Sequence, residues 1–164
     1  MKTCILTARL DEVSQNFFNE MRDQYFPKER NLLKAHLTLF HKLPDTLSNQ
    51  KILQSIKENV FKVNVTSLKS IGNGLAYFIE SDELNKLHAY LQKAFDSQLI
   101  LQDKQGFRPH ITIQNKVTAE EARELLKHLK PTFQPFQISL EGLDLWHYLD
   151  GPWQHYQYYP FAKL

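Results

Sequence analysis

Phe107-Arg108-Pro109-His110-Ile111-Thr112-Ile113 decides how this chain is read, because Ala35-His36-Leu37-Thr38-Leu39 nearly repeats its second half. Both copies read His-x-Thr-x with an aliphatic residue at each x. Successive side chains of an extended strand point to opposite faces. His36 and Thr38 therefore share one face, with Leu37 and Leu39 on the other. His110 and Thr112 stand in the same way against Ile111 and Ile113. A strand built like this is half core and half site. Two of them predict a single cleft with two histidines facing each other.

Outward from the motifs, the chain shows the same order of elements twice. Thr3 to Leu10 is an apolar strand, and Asp11 can cap a helix through Tyr25 with Val13, Phe17, Phe18, Met21 and Tyr25 at helical spacing. Pro27 ends it. Pro44-Asp45 breaks the first motif strand. Asp45 or Ser48 then caps a second helix with the stripe Leu47, Ile52, Leu53, Ile56 and Val60, and Phe61 to Leu68 alternates as a half-buried strand does. Gly72-Asn73-Gly74 is a turn. Beyond it lie a strand (Leu75 to Ile79), a helix from Ser81 or Asp82 carrying Leu84, Leu87, Leu91 and Phe95, and Gly106 before the second motif. Thr118 and Glu121 match a capping box, and that helix, with Leu125, Leu126 and Leu129, stops at Pro131. Phe133 to Leu145 is a long strand, Asp150-Gly151-Pro152 a turn, and Trp153 to Phe161 a closing strand.

From helix start to motif histidine the chain takes 25 residues in one half (Asp11 to His36) and 29 in the other (Ser81 to His110). Strand, helix, His-x-Thr strand, helix, strand occurs twice. The expected fold class is α+β: a bilobal duplicated unit with two antiparallel sheets facing a central cleft and helices on the outside. Residues 1–164 form one domain, with repeats over roughly 3–70 and 75–145 and a closing hairpin over 146–162.

The totals bound the function. Hydrophobic residues make up 42% and charged residues 23% of the 164, a globular rather than disordered balance. A net charge of +2 is too mild to argue for duplex DNA. The single cysteine, Cys4, has no internal disulfide partner and reads as a buried free thiol in a reducing compartment. The N-terminus does not read as a signal peptide, and no apolar run approaches the roughly 18 residues a membrane span needs. A cytoplasmic monomer with no membrane partner is the expectation.

Two facing histidines suit phosphodiester chemistry. One proton must leave the attacking oxygen and another must reach the leaving oxygen, on opposite sides of phosphorus. An imidazole of pKa about 6.5 can be base while a second, protonated one is acid. A threonine two residues on shares the face and can donate its hydroxyl to a non-bridging phosphate oxygen. No metal or other cofactor is expected. There is no His-x-x-x-His pair, no HExxH and no cysteine ligand set. His36 and His41 are five apart, which on a strand sends them to opposite faces. A Ser-His-Asp nucleophile lacks its G-x-S-x-G turn.

With two His-x-Thr-x motifs, His36-Leu37-Thr38-Leu39 and His110-Ile111-Thr112-Ile113, the chain resembles the 2H phosphoesterase superfamily, also called the 2′-5′ RNA ligase-like or cyclic phosphodiesterase family. Phe107-Arg108-Pro109 ahead of His110 and the ending Gly151-Pro152-Trp153…Tyr159-Pro160-Phe161 strengthen the likeness. The resemblance implies a bilobal α+β fold and metal-independent work on 2′,3′-cyclic phosphates, 2′-5′ linkages or related cyclic nucleotides, with reversible RNA ligation as a further possibility. It implies His36 and His110 as the acid/base pair, with either as base, and Thr38 and Thr112 as phosphate clamps. Two departures stand out. Ala35 replaces a proline common before the first motif, and Gln114-Asn115-Lys116 stands where many members have arginine. Lys116 can supply that charge without arginine's bidentate fork.

Around this core, Arg108 is either a phosphate contact or a solvated edge residue. The tail aromatics (Trp146, Tyr148, Trp153, Tyr156, Tyr158 and Tyr159) read mostly as core, with Tyr148 and Trp153 as candidates for stacking on a base. His88 and His128 are expected on the surface, and His147 and His155 in structural positions. Lys34, Lys42 and Lys116 lie near the motifs. The partner expected is an RNA end or a small cyclic nucleotide, and the competing reading is a nucleotide- or RNA-end-binding module with little turnover.

Overall fold

Thr3–Leu10 forms strand β1, and Asp11 turns the chain into helix α1 (Glu12–Tyr25). One carboxylate oxygen of Asp11 accepts from the Ser14 amide at 2.9 Å, and the other accepts from the Ser139 amide at 2.8 Å. The cap thus also pins the helix start to a strand far along the sequence. In the computed structural model, which describes residues 2–163, the buried positions of α1 are Ser14, Phe18 and Arg22, spaced four apart. Val13, expected on the buried stripe, is 80% exposed. It lies five residues before Phe18, about 140° around the helix.

Strand β2 (Leu37–Pro44) carries Leu37, Thr38 and Leu39 of the first motif with His36 immediately ahead of it, and helix α2 (Leu47–Gln54) follows. Its cap is Thr46, whose hydroxyl accepts from the Asn49 amide at 3.1 Å, and not Asp45 or Ser48. Asp45 is engaged elsewhere, by Gln50 and His147. Leu47 is exposed, so the α2 stripe is narrower than expected. Strands β3 (Phe61–Ser70) and β4 (Leu75–Glu80) flank the Gly72–Gly74 turn, where Gly72 takes φ +95°. Ser81 caps helix α3 (Asp82–Phe95), whose buried stripe includes Leu84, Leu87, Leu91 and Phe95. A one-turn helix α4 (Leu101–Lys104), not foreseen, precedes β5 (His110–Gln114), the second motif. Thr118 caps helix α5 (Ala119–Leu129). Strand β6 (Phe136–Tyr148) starts later than expected, since Pro135 lacks an amide to donate, and it runs on to Tyr148. Strand β7 (Trp153–Pro160) closes the hairpin.

The two separate sheets expected from the repeat are one. β1 pairs with β2 and β6, β4 pairs with β5 and β3, and every ladder is antiparallel. β6 is long enough to serve both halves: Phe136–Leu140 borders β3 and Leu140–His147 borders β1. A single register pair, Leu37 with Ile111, joins β2 to β5 and closes the ring. Among β1 to β6, exchanging β1, β2 and β3 for β4, β5 and β6 leaves the set of pairings unchanged, and β7 is added on β6 alone. The core includes Phe18, Phe40 and Phe95, each fully buried, and full burial of such a side chain is worth about 1.5–3 kcal/mol. Both motif strands turn aliphatics into it: Leu37, Leu39, Ile111 and Ile113 are at most 2% exposed.

Candidate active site

The β2–β5 seam is where the two motifs meet. Around the antiparallel pair Leu37–Ile111, one step along each strand sets His36 beside Thr112 and Thr38 beside His110. All four point away from the core, because strand side chains alternate. They line one open cleft of about 310 Å³. The single-pair seam matters here. A longer β2–β5 ladder would extend the sheet, whereas one pair lets the strands part into a groove.

The two imidazoles are held alike. His36 Nδ1 lies 2.8 Å from the Lys34 carbonyl, and His110 Nδ1 lies 2.8 Å from the Arg108 carbonyl. A carbonyl oxygen only accepts, so each Nδ1 carries the proton and donates it. Each Nε2 is then free of the backbone and available to a ligand. An aromatic ring backs each histidine as well: Trp153 at 4.6 Å from His36 and Phe78 at 5.2 Å from His110, centroid to centroid. Their electrostatics differ. Burial pushes His36 down from 6.5 to about 4; the Lys34 carbonyl opposes this, and Arg22, His110 and His41 add to it. At neutral pH His36 is therefore an uncharged imidazole with a lone pair on Nε2.

Arg108 lines the cleft, is exposed, and lies 5.4 Å over the same Phe78 ring that backs His110. Trp153 also lines it, between the cleft and a neighbouring hollow of about 600 Å³. Lys116 does not reach the cleft and lines a third hollow, which shares His36 and Thr112. Tyr148 is exposed, pairs with Trp153 in the closing hairpin, and lines none of these hollows. The tail is wetter than expected: among its rings Tyr159 is buried, while Tyr156 is 41% exposed.

One wall of the cleft escaped sequence reading. His41 Nδ1 donates to Asp103 at 2.9 Å, and Asp103 also accepts from the amides of His41 and Lys42. The carboxylate is buried, yet the three hydrogen bonds around it hold it below its ordinary range against the desolvation that would raise it. His88, expected on the surface, is 4% exposed. It lies between Phe40 at 4.6 Å and Phe107 at 3.8 Å, with Nε2 at 3.1 Å from the Leu39 carbonyl. It forms the floor beside the first motif. No local periodicity announces either arrangement, since the partners are far apart in the chain. His147 and His155 are placed structurally, on Asp45 and Asp144.

Among the described residues, Cys4, Asp45 and His147 bring one ligand atom each within 4.8 Å of the others, the spacing a metal ion needs. None of them lines the cleft. Burial and then Asp45 push the Cys4 thiol up to about 12, and His147 Nε2 lies on Asp45 at 3.0 Å. Among the described residues, no helix is long and apolar enough to cross a membrane.

The family described as the 2'-5' RNA ligase superfamily matches residues 10–152. No curated protein matches significantly in sequence. Among solved structures, TT0787 of Thermus thermophilus is similar at 17% identity with a TM-score of 0.68. A protein described as a phosphoesterase follows at 15% and 0.64. E. coli LigT complexed with 3'-AMP is similar at 14% and 0.63. In all three cases 98% of each chain is covered. At such identities these likenesses concern the fold.

Proposed function

This chain belongs to the 2'-5' RNA ligase superfamily, and we propose that it works as a metal-independent phosphodiesterase on 2′,3′-cyclic phosphate or 2′-5′-linked nucleotide substrates. The observation that carries the reading is the matched pair of Nδ1 hydrogen bonds, which leaves both Nε2 atoms free at one cleft. The exchange symmetry of the strand pairings supports reading residues 3–70 and 75–145 as two copies of one unit, each contributing one histidine and one threonine. That a similar fold in E. coli LigT accommodates 3'-AMP supports a nucleotide as the ligand.

In hydrolysis of a 2′,3′-cyclic phosphate, water attacks phosphorus and gives its proton to His36 Nε2, which is unprotonated at neutral pH. The ribose oxygen opposite departs and takes a proton from Nε2 of a protonated His110. The hydroxyls of Thr38 and Thr112 donate to the non-bridging oxygens, whose negative charge rises in the transition state. These hydroxyls and the imidazolium meet the charge requirement, so no step calls for a metal ion. A 5′-hydroxyl in place of water, with the 3′ oxygen leaving, makes a 2′-5′ phosphodiester by the same proton transfers. The acid and the base each contribute roughly 10² to 10⁴.

A panel of 2′,3′-cyclic, 2′-5′-linked and 3′,5′-cyclic substrates, assayed in excess EDTA, tests the proposal. Turnover in EDTA is expected, and both His36→Ala and His110→Ala should remove it while leaving the fold intact. A wild-type rate in either variant, or activity that chelation abolishes and a metal restores, would overturn it. Tight binding across the panel without turnover would leave the site a binding module.

A further inference from the structure

A hollow of about 320 Å³ shares His36 and Thr112 with the cleft and carries three cations, Arg22, Arg30 and Lys116, above the apolar Phe26 and Leu33. Among the described residues, no carboxylate lines it. Arg22 is the unusual member. It occupies the third buried position of the α1 stripe, where an aliphatic side chain would serve packing better, and is 4% exposed. Its Nε donates to Asn31 Oδ1 at 3.1 Å and its Nη1 to the Thr112 carbonyl at 3.2 Å, both neutral acceptors. The guanidinium also lies 4.1 Å over the Phe26 ring. The neighbouring carboxylate, Asp23, accepts from Asn31 Nδ2 instead. Among the described residues, Arg22 has no ion-pair partner and Nη2 no hydrogen bond. Burial accordingly lowers its basicity to about 10, against the pull of Asp23.

A buried guanidinium facing only neutral acceptors is a cost to the fold, and planar two-point recognition of a phosphate is what arginine does best. Lys116 adds a second sign of a built site. It holds a left-handed backbone (φ 64°), with its amide on Asn115 Oδ1 at 2.9 Å, a conformation that costs a non-glycine residue energy and clusters at ligand sites. Arg30 is exposed at the rim. The same Thr112 whose hydroxyl faces the cleft offers its carbonyl to Arg22, so the hollow and the reacting centre share a residue.

The geometry points to a second phosphate subsite in this hollow, formed by Arg22, Arg30 and Lys116. It takes the phosphate next along the substrate while the reacting phosphate sits between the two histidines. The ligand class is then a nucleotide bearing two phosphates one nucleoside apart, in preference to a mononucleoside cyclic phosphate. The identity of the ligand rests on the phosphodiesterase reading above; the existence of an anion subsite does not.

Calorimetric titration with a dinucleotide bearing a 3′-terminal phosphate tests this, against the same dinucleotide with a neutral methylphosphonate internal linkage. Size and bases are equal and only one charge differs. The charged form should bind about tenfold more tightly, the gain expected from one charge-assisted contact. Arg30→Ala and Arg22→Met should each bring that ratio toward one. Arg22→Met can also weaken the fold, but Arg30 is exposed, so its variant gives an answer regardless. Equal wild-type affinities, or a ratio that both variants preserve, would overturn the subsite and leave Arg22 a brace for β5. If the wild type discriminates charge but turns over no cyclic phosphate, the phosphodiesterase reading falls and the subsite stands. If it turns over substrate without discriminating, the reverse holds.

Discussion

Acidification probes the proposed base directly. Burial is the main reason His36 titrates near 4 rather than 6.5; the Lys34 carbonyl works against it, and Arg22, His110 and His41 work with it. Between those values the unfolded chain holds a proton on this ring that the folded chain does not. Stability then falls as pH falls through the window from 6.5 to about 4, and the loss is complete below it. At about 1.36 kcal/mol for each pH unit, the full loss is at most about 3 kcal/mol, since the half-buried ring keeps part of its hydration. Urea unfolding from pH 7 to pH 4 measures it. The stability difference between wild type and His36→Ala should narrow by about that amount on the acid side, because the variant lacks the titrating ring. Ring-carbon NMR gives the midpoint itself, and kcat/KM should keep its neutral base until the pH nears about 4. Trp153→Ala uncovers one face of the ring and should move the midpoint up. A bound phosphate should also raise it, since an anion favours the imidazolium. A free-protein midpoint at or above 6.5 would refute both the low basicity and the assignment of His36 as base.

Three further outcomes follow from particular contacts. Thr38→Val and Thr112→Val should each lower kcat/KM about 10²-fold with unchanged circular dichroism, the scale for losing one transition-state donor; rates within twofold of wild type would remove the clamps. Gly74→Ala should destabilise the protein by several kcal/mol in chemical denaturation, because the added carbon would sit 1.9 Å from the Gln114 carbonyl oxygen at the edge of β4 and β5. Asp103→Asn keeps the size but loses acceptor capacity for the His41 and Lys42 amides and the His41 ring. A stability loss of about 1–3 kcal/mol at pH 7 is expected, and because the Asp103 carboxyl lies below 3.8, that loss should shrink as pH falls below about 3.8. A variant as stable as wild type at pH 7 would mean the carboxylate braces nothing.

What could be read from residues alone was whatever a strand or helix decides by itself. Alternation put His36, Thr38, His110 and Thr112 on one face of each strand, and local hydrogen-bonding chemistry marked the caps Asp11, Ser81 and Thr118, all of which cap helices here. Periodicity is silent about which edges meet, and the misses at the sheet and at His88 share that cause. Two sheets were expected where β6 spans both halves, because one strand's length says nothing of how many neighbours it serves. His88 stood among polar helix neighbours, yet α3 turns it between Phe40 and Phe107, which come from two other segments. Arg22 is the sharpest case. In the sequence it is an ordinary polar position in α1, and helical spacing from Phe18 already placed it on the buried face. Taking the spacing over the residue type would have exposed the conflict. An arginine on the buried face of a helix has to find acceptors outside that helix, and here one of them, the Thr112 carbonyl, lies on the strand that carries the second histidine.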